Sequence, residues 1–136
     1  MAGAPIEFYF DFSSPYGYLA AIKIEALAAK YGRTVKWRAM LLGVAFKATG
    51  SAPLPSIPLK GDYAKRDFLR SARFHGVPFR LPDPFPVSTV SAARAFYATG
   101  DVRLAKALYK AYFADNVNIG EAENVMKIAA GLGLKP

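Results

Sequence analysis

The run Asp11-Phe12-Ser13-Ser14-Pro15-Tyr16 sets a carboxylate and two hydroxyls just ahead of a proline. A hydroxyl residue followed by proline signals the start of a helix. The hydroxyl caps the first turn, and proline suits the first helical position because an N–H there would have no partner inside the helix. The same turn offers unpaired N–H groups and a partial positive charge, so it stabilises an anion. An un-ionised serine in that place can donate a hydrogen bond to a bound thiolate or carboxylate. On spacing alone the simpler reading is that Ser13 or Ser14 is only the helix cap. Asp11 would oppose a bound thiolate, so it reads as a turn or capping residue.

The elements that must position these residues follow from hydrophobic periodicity. Ile6 to Phe12 is dense in strand formers and reads as a first strand. From Tyr16 to Tyr31 the apolar residues Leu19, Ile22, Leu27 and Tyr31 recur at helical spacing, with Gly32 as the stop. Thr34 to Met40 alternates and reads as a second strand, parallel to the first across the intervening helix. The serines then lie at the carboxyl end of a strand, where open α/β sheets bind ligands. Leu41 to Thr49 predicts a short helix ended by Gly50, and Ser51 to Pro58 a proline-rich loop. Asp62 to Phe74 predicts a helix with Tyr63, Phe68 and Leu69 as apolar contacts, closed by Gly76. Val77 to Pro86 reads as extended. Three more helices are expected over Ser88–Tyr97, Val102–Phe113 and Glu121–Ala130. Two strands make a poor sheet. Phe8, Phe10 and Trp37 are therefore expected to be poorly covered on one side, with association of chains or a strong tendency to aggregate as the consequence.

Composition removes several chemistries. The chain has 136 residues, a length suited to one domain, and 53% of them are apolar. The absence of cysteine excludes a disulfide, a thiol nucleophile and a dithiol redox centre. With His75 as the single histidine, multi-histidine metal sites are excluded; at a helix end it reads as structural or surface. Eighteen Lys and Arg against ten Asp and Glu give +8, which favours anionic partners without naming them. Lys65, Arg66, Arg70 and Arg73 fall partly on one helical face, read as solvated. No nucleic-acid motif accompanies them, so nucleic acid is not an expected partner. No apolar stretch is long enough to cross a membrane, and Met1 to Pro5 lacks the features of a signal peptide. A soluble, cytoplasmic protein is expected.

The run Phe8-Tyr9-Phe10-Asp11-Phe12-Ser13-Ser14-Pro15-Tyr16-Gly17-Tyr18-Leu19 resembles the opening of the 2-hydroxychromene-2-carboxylate isomerases and the related kappa-class glutathione transferases, in the Dsb-like branch of the thioredoxin fold. The resemblance continues through Gly43 to Gly50, Leu59 to Tyr63, Arg66-Asp67, Gly76 to Phe79 and Phe85-Pro86, and so covers most of the first hundred residues. It implies an α/β protein. A thioredoxin-like βαβ unit occupies residues 1–40 and an all-helical insertion residues 41–136, with the closing strands absent from this chain. Family members are longer, so a chain truncated at its C-terminus is expected.

The family's glutathione-activating serine stands immediately before the proline, which is Ser14 here. The resemblance implies Ser14 as the catalytic residue, with Ser14, Pro15, Tyr16 and Ser51 at glutathione and Lys47 and Lys60 at the substrate carboxylate. Ser51 stands where the family usually has asparagine, whose amide offers a donor and an acceptor that serine cannot match. The tetrad Ser14-Pro15-Tyr16-Gly17 holds no thiol, so glutathione would supply the sulfur. The implied function is a glutathione-dependent isomerase in aromatic-compound catabolism, a homodimer acting on a small aromatic carboxylate. Two alternatives are a kappa-type glutathione transferase and a non-catalytic basic binding module.

Overall fold

A computed structural model describes residues 3–136; Met1 and Ala2, part of the N-terminal segment read above, lie outside the described residues. Strand β1 (Ile6–Phe10) pairs in parallel with β2 (Val35–Ala39), in register from Ile6 opposite Val35 to Phe10 opposite Ala39. Helix α1 (Pro15–Lys30) connects them. Helices α2 (Leu42–Thr49), α3 (Lys60–His75), α4 (Val90–Thr99), α5 (Val102–Phe113) and α6 (Ala122–Gly131) follow. A single 3-10 turn (Leu54–Ser56) interrupts the proline-rich loop. Among the described residues the sheet has two strands.

The expected exposure of the strand aromatics does not hold. Phe10 and Trp37 are buried and Phe8 is half-buried. The reason is that β1 and β2 put their apolar residues on one face, and α4 and α5 cover that face. Phe10 packs against Phe96 of α4 at 5.6 Å and Tyr109 of α5 at 5.9 Å between ring centroids. Burying a side chain of this size contributes about 1.5–3 kcal/mol. The opposite face is polar: Arg38 bonds Glu7 at 3.1 Å, and the Tyr9 hydroxyl donates to Glu7 at 3.0 Å.

Helix α5 is the centre of the packing. It buries Leu104, Ala105, Leu108, Tyr109, Ala111, Tyr112 and Phe113 against α1, α4 and α6. This decides which face of α1 turns inward. Of the residues expected inside, Leu19 is buried, but Ile22, Leu27 and Tyr31 are exposed; the buried positions are Pro15, Tyr18, Leu19, Ala21 and Ala28. Small residues let α1 come close to α5, and Tyr18 stacks on Phe113 at 5.6 Å. A similar shift occurs in α3, where Phe68 is buried as expected with Gly61, Ala64 and Ala72, while Tyr63 and Leu69 face solvent. Gly61 permits the 3-10 turn to press on α3, since a Cβ there would lie 2.3 Å from the Pro55 carbonyl oxygen.

Candidate active site

The turn from β1 to α1 is held by its own backbone and by Asp11. The Ser14 N–H donates to the Asp11 carbonyl at 3.0 Å. The Ser13 N–H and hydroxyl both donate to Asp11 Oδ1, at 2.9 and 3.0 Å. Ser14 is the cap of α1, and its Oγ accepts from the Gly17 N–H at 3.0 Å, with Pro15 at the first helical position. The two hydroxyls thus differ. Ser13 gives its proton to Asp11, whereas among the described residues no acceptor takes the proton of Ser14. Gly17 is needed for this geometry. A Cβ on it would lie 2.6 Å from the Tyr109 hydroxyl and 3.3 Å from Ser14 Oγ.

Ser14 opens into a cavity of about 410 Å³. Its floor includes Ser13, Ser14, Pro15 and Tyr16, and one wall is α2, with Leu42, Val44, Phe46 and Lys47. The 3-10 turn, Phe68 and the segment from Phe85 to Val90 complete it, and most of the lining is apolar. Among the described residues Lys47 is its one cationic lining residue. Tyr16 lines it as well, and its hydroxyl donates to Asp67 of α3 at 2.5 Å. Burial, and then the neighbouring Asp67 carboxylate, push the Tyr16 phenol up to about 12. The same bond is the main cause that holds Asp67 below the usual carboxylate range.

Of the residues expected at a site, Ser14, Pro15, Tyr16 and Lys47 come together around this cavity, and Ser51 and Lys60 do not line it. Ser51 follows Gly50, which caps α2 in the left-handed region at φ 71°, and the Ser51 N–H returns to the Phe46 carbonyl at 3.0 Å. Lys60 begins α3 on its exposed side. His75 sits at the far end of α3 beside Lys23, away from the cavity. Asp11 is a turn and capping residue: it holds the turn ahead of α1 through Ser13, and the helix it caps is α2, through the Leu42 N–H at 2.8 Å. Phe85-Pro86 belongs to the resemblance named above, whereas Thr89 had no local signal in the sequence. Thr89 reaches Asp11 across 78 residues of chain, its hydroxyl donating to Oδ1 at 2.7 Å.

A parallel strand–helix–strand unit with a helix start facing a cavity and helices packed over one sheet face is the arrangement of a thioredoxin-type domain. Residues 5–136 match the DSBA-like thioredoxin domain family, and the chain belongs to it. Among characterised relatives, the chain is similar to 2-hydroxychromene-2-carboxylate isomerase of Pseudomonas putida, 39% identical over 80 residues that make up 57% of this chain and 39% of that protein. It is also similar to glutathione S-transferase kappa 1 of Caenorhabditis elegans, 32% identical over 59% of this chain and 36% of that protein. A solved structure of 2-hydroxychromene-2-carboxylate isomerase superposes with a TM-score of 0.81 at 26% identity, covering 95% of this chain and 66% of that one. The matched segments thus span well under half of these two relatives' length.

Proposed function

We propose that this chain acts as a glutathione-dependent isomerase of the 2-hydroxychromene-2-carboxylate type. The observation that carries the proposal is the uncommitted proton of Ser14 at the start of α1, on the floor of an apolar cavity. When bound, glutathione supplies the thiolate nucleophile that a cysteine-free chain lacks. The chain's own residues fit that anion. Ser14 keeps its cap through an oxygen lone pair while its proton remains free to donate, and the first turn of α1, which itself holds no acidic residue, adds positive potential against the Asp11 carboxylate that precedes it. Pro15 and the Tyr16 ring form apolar floor beside the sulfur position. The cavity's apolar walls exclude water from an aromatic substrate, and Lys47 offers its carboxylate a cation. Ser51 and Lys60 have no role in this scheme as long as they stay outside the lining.

The kappa transferases among the relatives support a second reading, in which the sulfur stays joined to an electrophile. A product assay separates the two. An isomerase returns free glutathione with a rearranged carboxylate, and a transferase accumulates the conjugate. Salt-dependent binding of DNA with no binding of glutathione would instead make the chain a basic binding module. We also propose a cytoplasmic homodimer, tested by sedimentation. Among the described residues no helix is long and apolar enough to cross a membrane.

A further inference from the structure

The Asp11 side chain is buried, at 5% exposure, and among the described residues no cation pairs with it. Four donors converge on it instead, from three separate walls of the cavity. The Ser13 N–H and hydroxyl come from the turn into α1, the Leu42 N–H from the first residue of α2, and the Thr89 hydroxyl from the residue capping α4. Both later helices forgo a local cap for this arrangement. Leu41, at the start of α2, has no side-chain acceptor to offer, and Thr89 makes no side-chain cap to its own helix. A hydroxyl or carboxylate cap is worth about 1 kcal/mol to a helix, so two helix starts tied to one distant carboxylate serve the cavity they enclose.

We propose that Asp11 is the positioning residue of this site: it takes the Ser13 proton, leaves Ser14 as the only serine of the pair able to donate into the cavity, and fixes α2 and α4 as its walls. The geometry stands without a ligand; the ligand used in the test rests on the glutathione reading above. A merely structural role would loosen the whole domain. A positioning role loosens the turn and the cavity walls and leaves the α5–α6 core intact. It also has an electrostatic signature of the opposite sign to charge alone. Removing a carboxylate near an anion site should tighten anion binding by Coulomb's law, whereas losing the positioning should weaken it.

The test is Asp11→Asn in the 136-residue chain, read by amide hydrogen exchange and by calorimetric titration with glutathione. Exchange is expected to quicken at Leu42, Ser13 and Gly17 and to stay unchanged at Leu108 and Val125. Glutathione affinity is expected to fall roughly tenfold, the scale of losing hydrogen bonds to a charged group. Thr89→Val and Thr89→Ser form the second arm, needed if Asp11→Asn does not fold. The valine variant is expected to quicken exchange at Gly17 and the serine variant to restore it. Unchanged exchange at Gly17, a uniform increase throughout the chain, or tighter glutathione binding in Asp11→Asn would each overturn the proposal. If the wild-type chain does not bind glutathione, the glutathione reading falls and the exchange data alone decide the role of Asp11.

Discussion

Ser14 has two jobs that a short series of substitutions can separate. Its oxygen caps α1 through the Gly17 N–H at 3.0 Å, and its proton is free for a ligand. Ser14→Ala removes both. The lost cap should cost about 1 kcal/mol, which for a chain of this size lowers Tm by roughly 3–6 °C. The lost donor should weaken glutathione binding by roughly ten- to a hundredfold, because a hydrogen bond to a charged group is worth about 1.5–3 kcal/mol and about 1.4 kcal/mol is tenfold. Ser14→Asp splits the two effects. Its carboxylate still accepts from Gly17, and it adds a negative charge to a first turn that has no acidic residue, so stability should hold or rise. It has no proton to give and repels a thiolate, so binding should be lost. Ser14→Thr keeps both functions, and Ser13→Ala should weaken binding far less than Ser14→Ala because Ser13 faces Asp11. Thermal unfolding followed by circular dichroism and calorimetric titration measure the two properties independently. A Ser14→Asp variant that binds glutathione like the wild type would refute the donor role. A Ser14→Ala variant with an unchanged Tm would refute the cap.

Three further outcomes are expected. Gly17→Ala should destabilise by about 1–2 kcal/mol despite alanine's better helix propensity, because overpacking costs about 1–3 kcal/mol and the new Cβ meets the buried Tyr109 hydroxyl at 2.6 Å. Adding Tyr109→Phe should make Gly17→Ala less costly in a double-mutant cycle, and strict additivity would show that the clash is not the cause. The Tyr16 phenol is raised in the folded state, so its contribution is complete below the unfolded value of about 10 and is lost as pH climbs towards about 12. The stability gap between wild type and Tyr16→Phe in urea unfolding should therefore narrow over that interval, and a constant gap would mean that neither burial nor the bond to Asp67 raises the phenol. Ser51→Asn should leave glutathione affinity within about twofold of wild type, since position 51 lies outside the cavity lining; tightening of about fivefold would mean that the loop reaches the ligand.

What the sequence made legible is what local chemistry decides. Ser14-Pro15 starts α1 where a hydroxyl and a proline are both suited to a helix start, and Gly50, Gly76 and Gly100 end helices in the left-handed region that favours glycine. The parallel βαβ unit follows from two strand-forming runs too near in sequence to be joined by anything but one helix. Residues far apart in the chain decided the rest. Ile22 and Leu27 have the right spacing for a buried face, yet the side of α1 that packs is set by Tyr109 and Phe113, some 80 to 100 positions later, which accept Tyr18 and small residues instead. The strand aromatics looked uncovered because nothing local announces that α4 and α5 lie over them. The same limit hid Thr89, whose partner Asp11 lies on β1's exit turn; Ser51 and Lys60, named through the resemblance, lie outside the cavity lining.

The route from core to site runs through Tyr109. Its ring lies in an aromatic cluster with Phe10, Phe12, Tyr18 and Phe113, and it is essentially without solvent contact. Its hydroxyl donates to the Asp11 carbonyl at 2.8 Å, the same oxygen that accepts the Ser14 N–H. Burial raises this phenol well above its ordinary value, so it stays a donor throughout the physiological range. The turn that presents Ser14 is thus fixed from below by a core tyrosine and from the side by the Asp11 carboxylate, while Val44 and Pro86 on the opposite walls are exposed. A reactive anion needs a fixed donor more than it needs a fixed roof, because the strength of a hydrogen bond falls steeply with misalignment whereas apolar contacts tolerate displacement. Under the glutathione reading proposed above, a floor fixed by Tyr109 and Asp11 would carry the Ser14 proton to a thiolate, and the exposed apolar side chains of Val44 and Pro86 would border the space for an aromatic substrate.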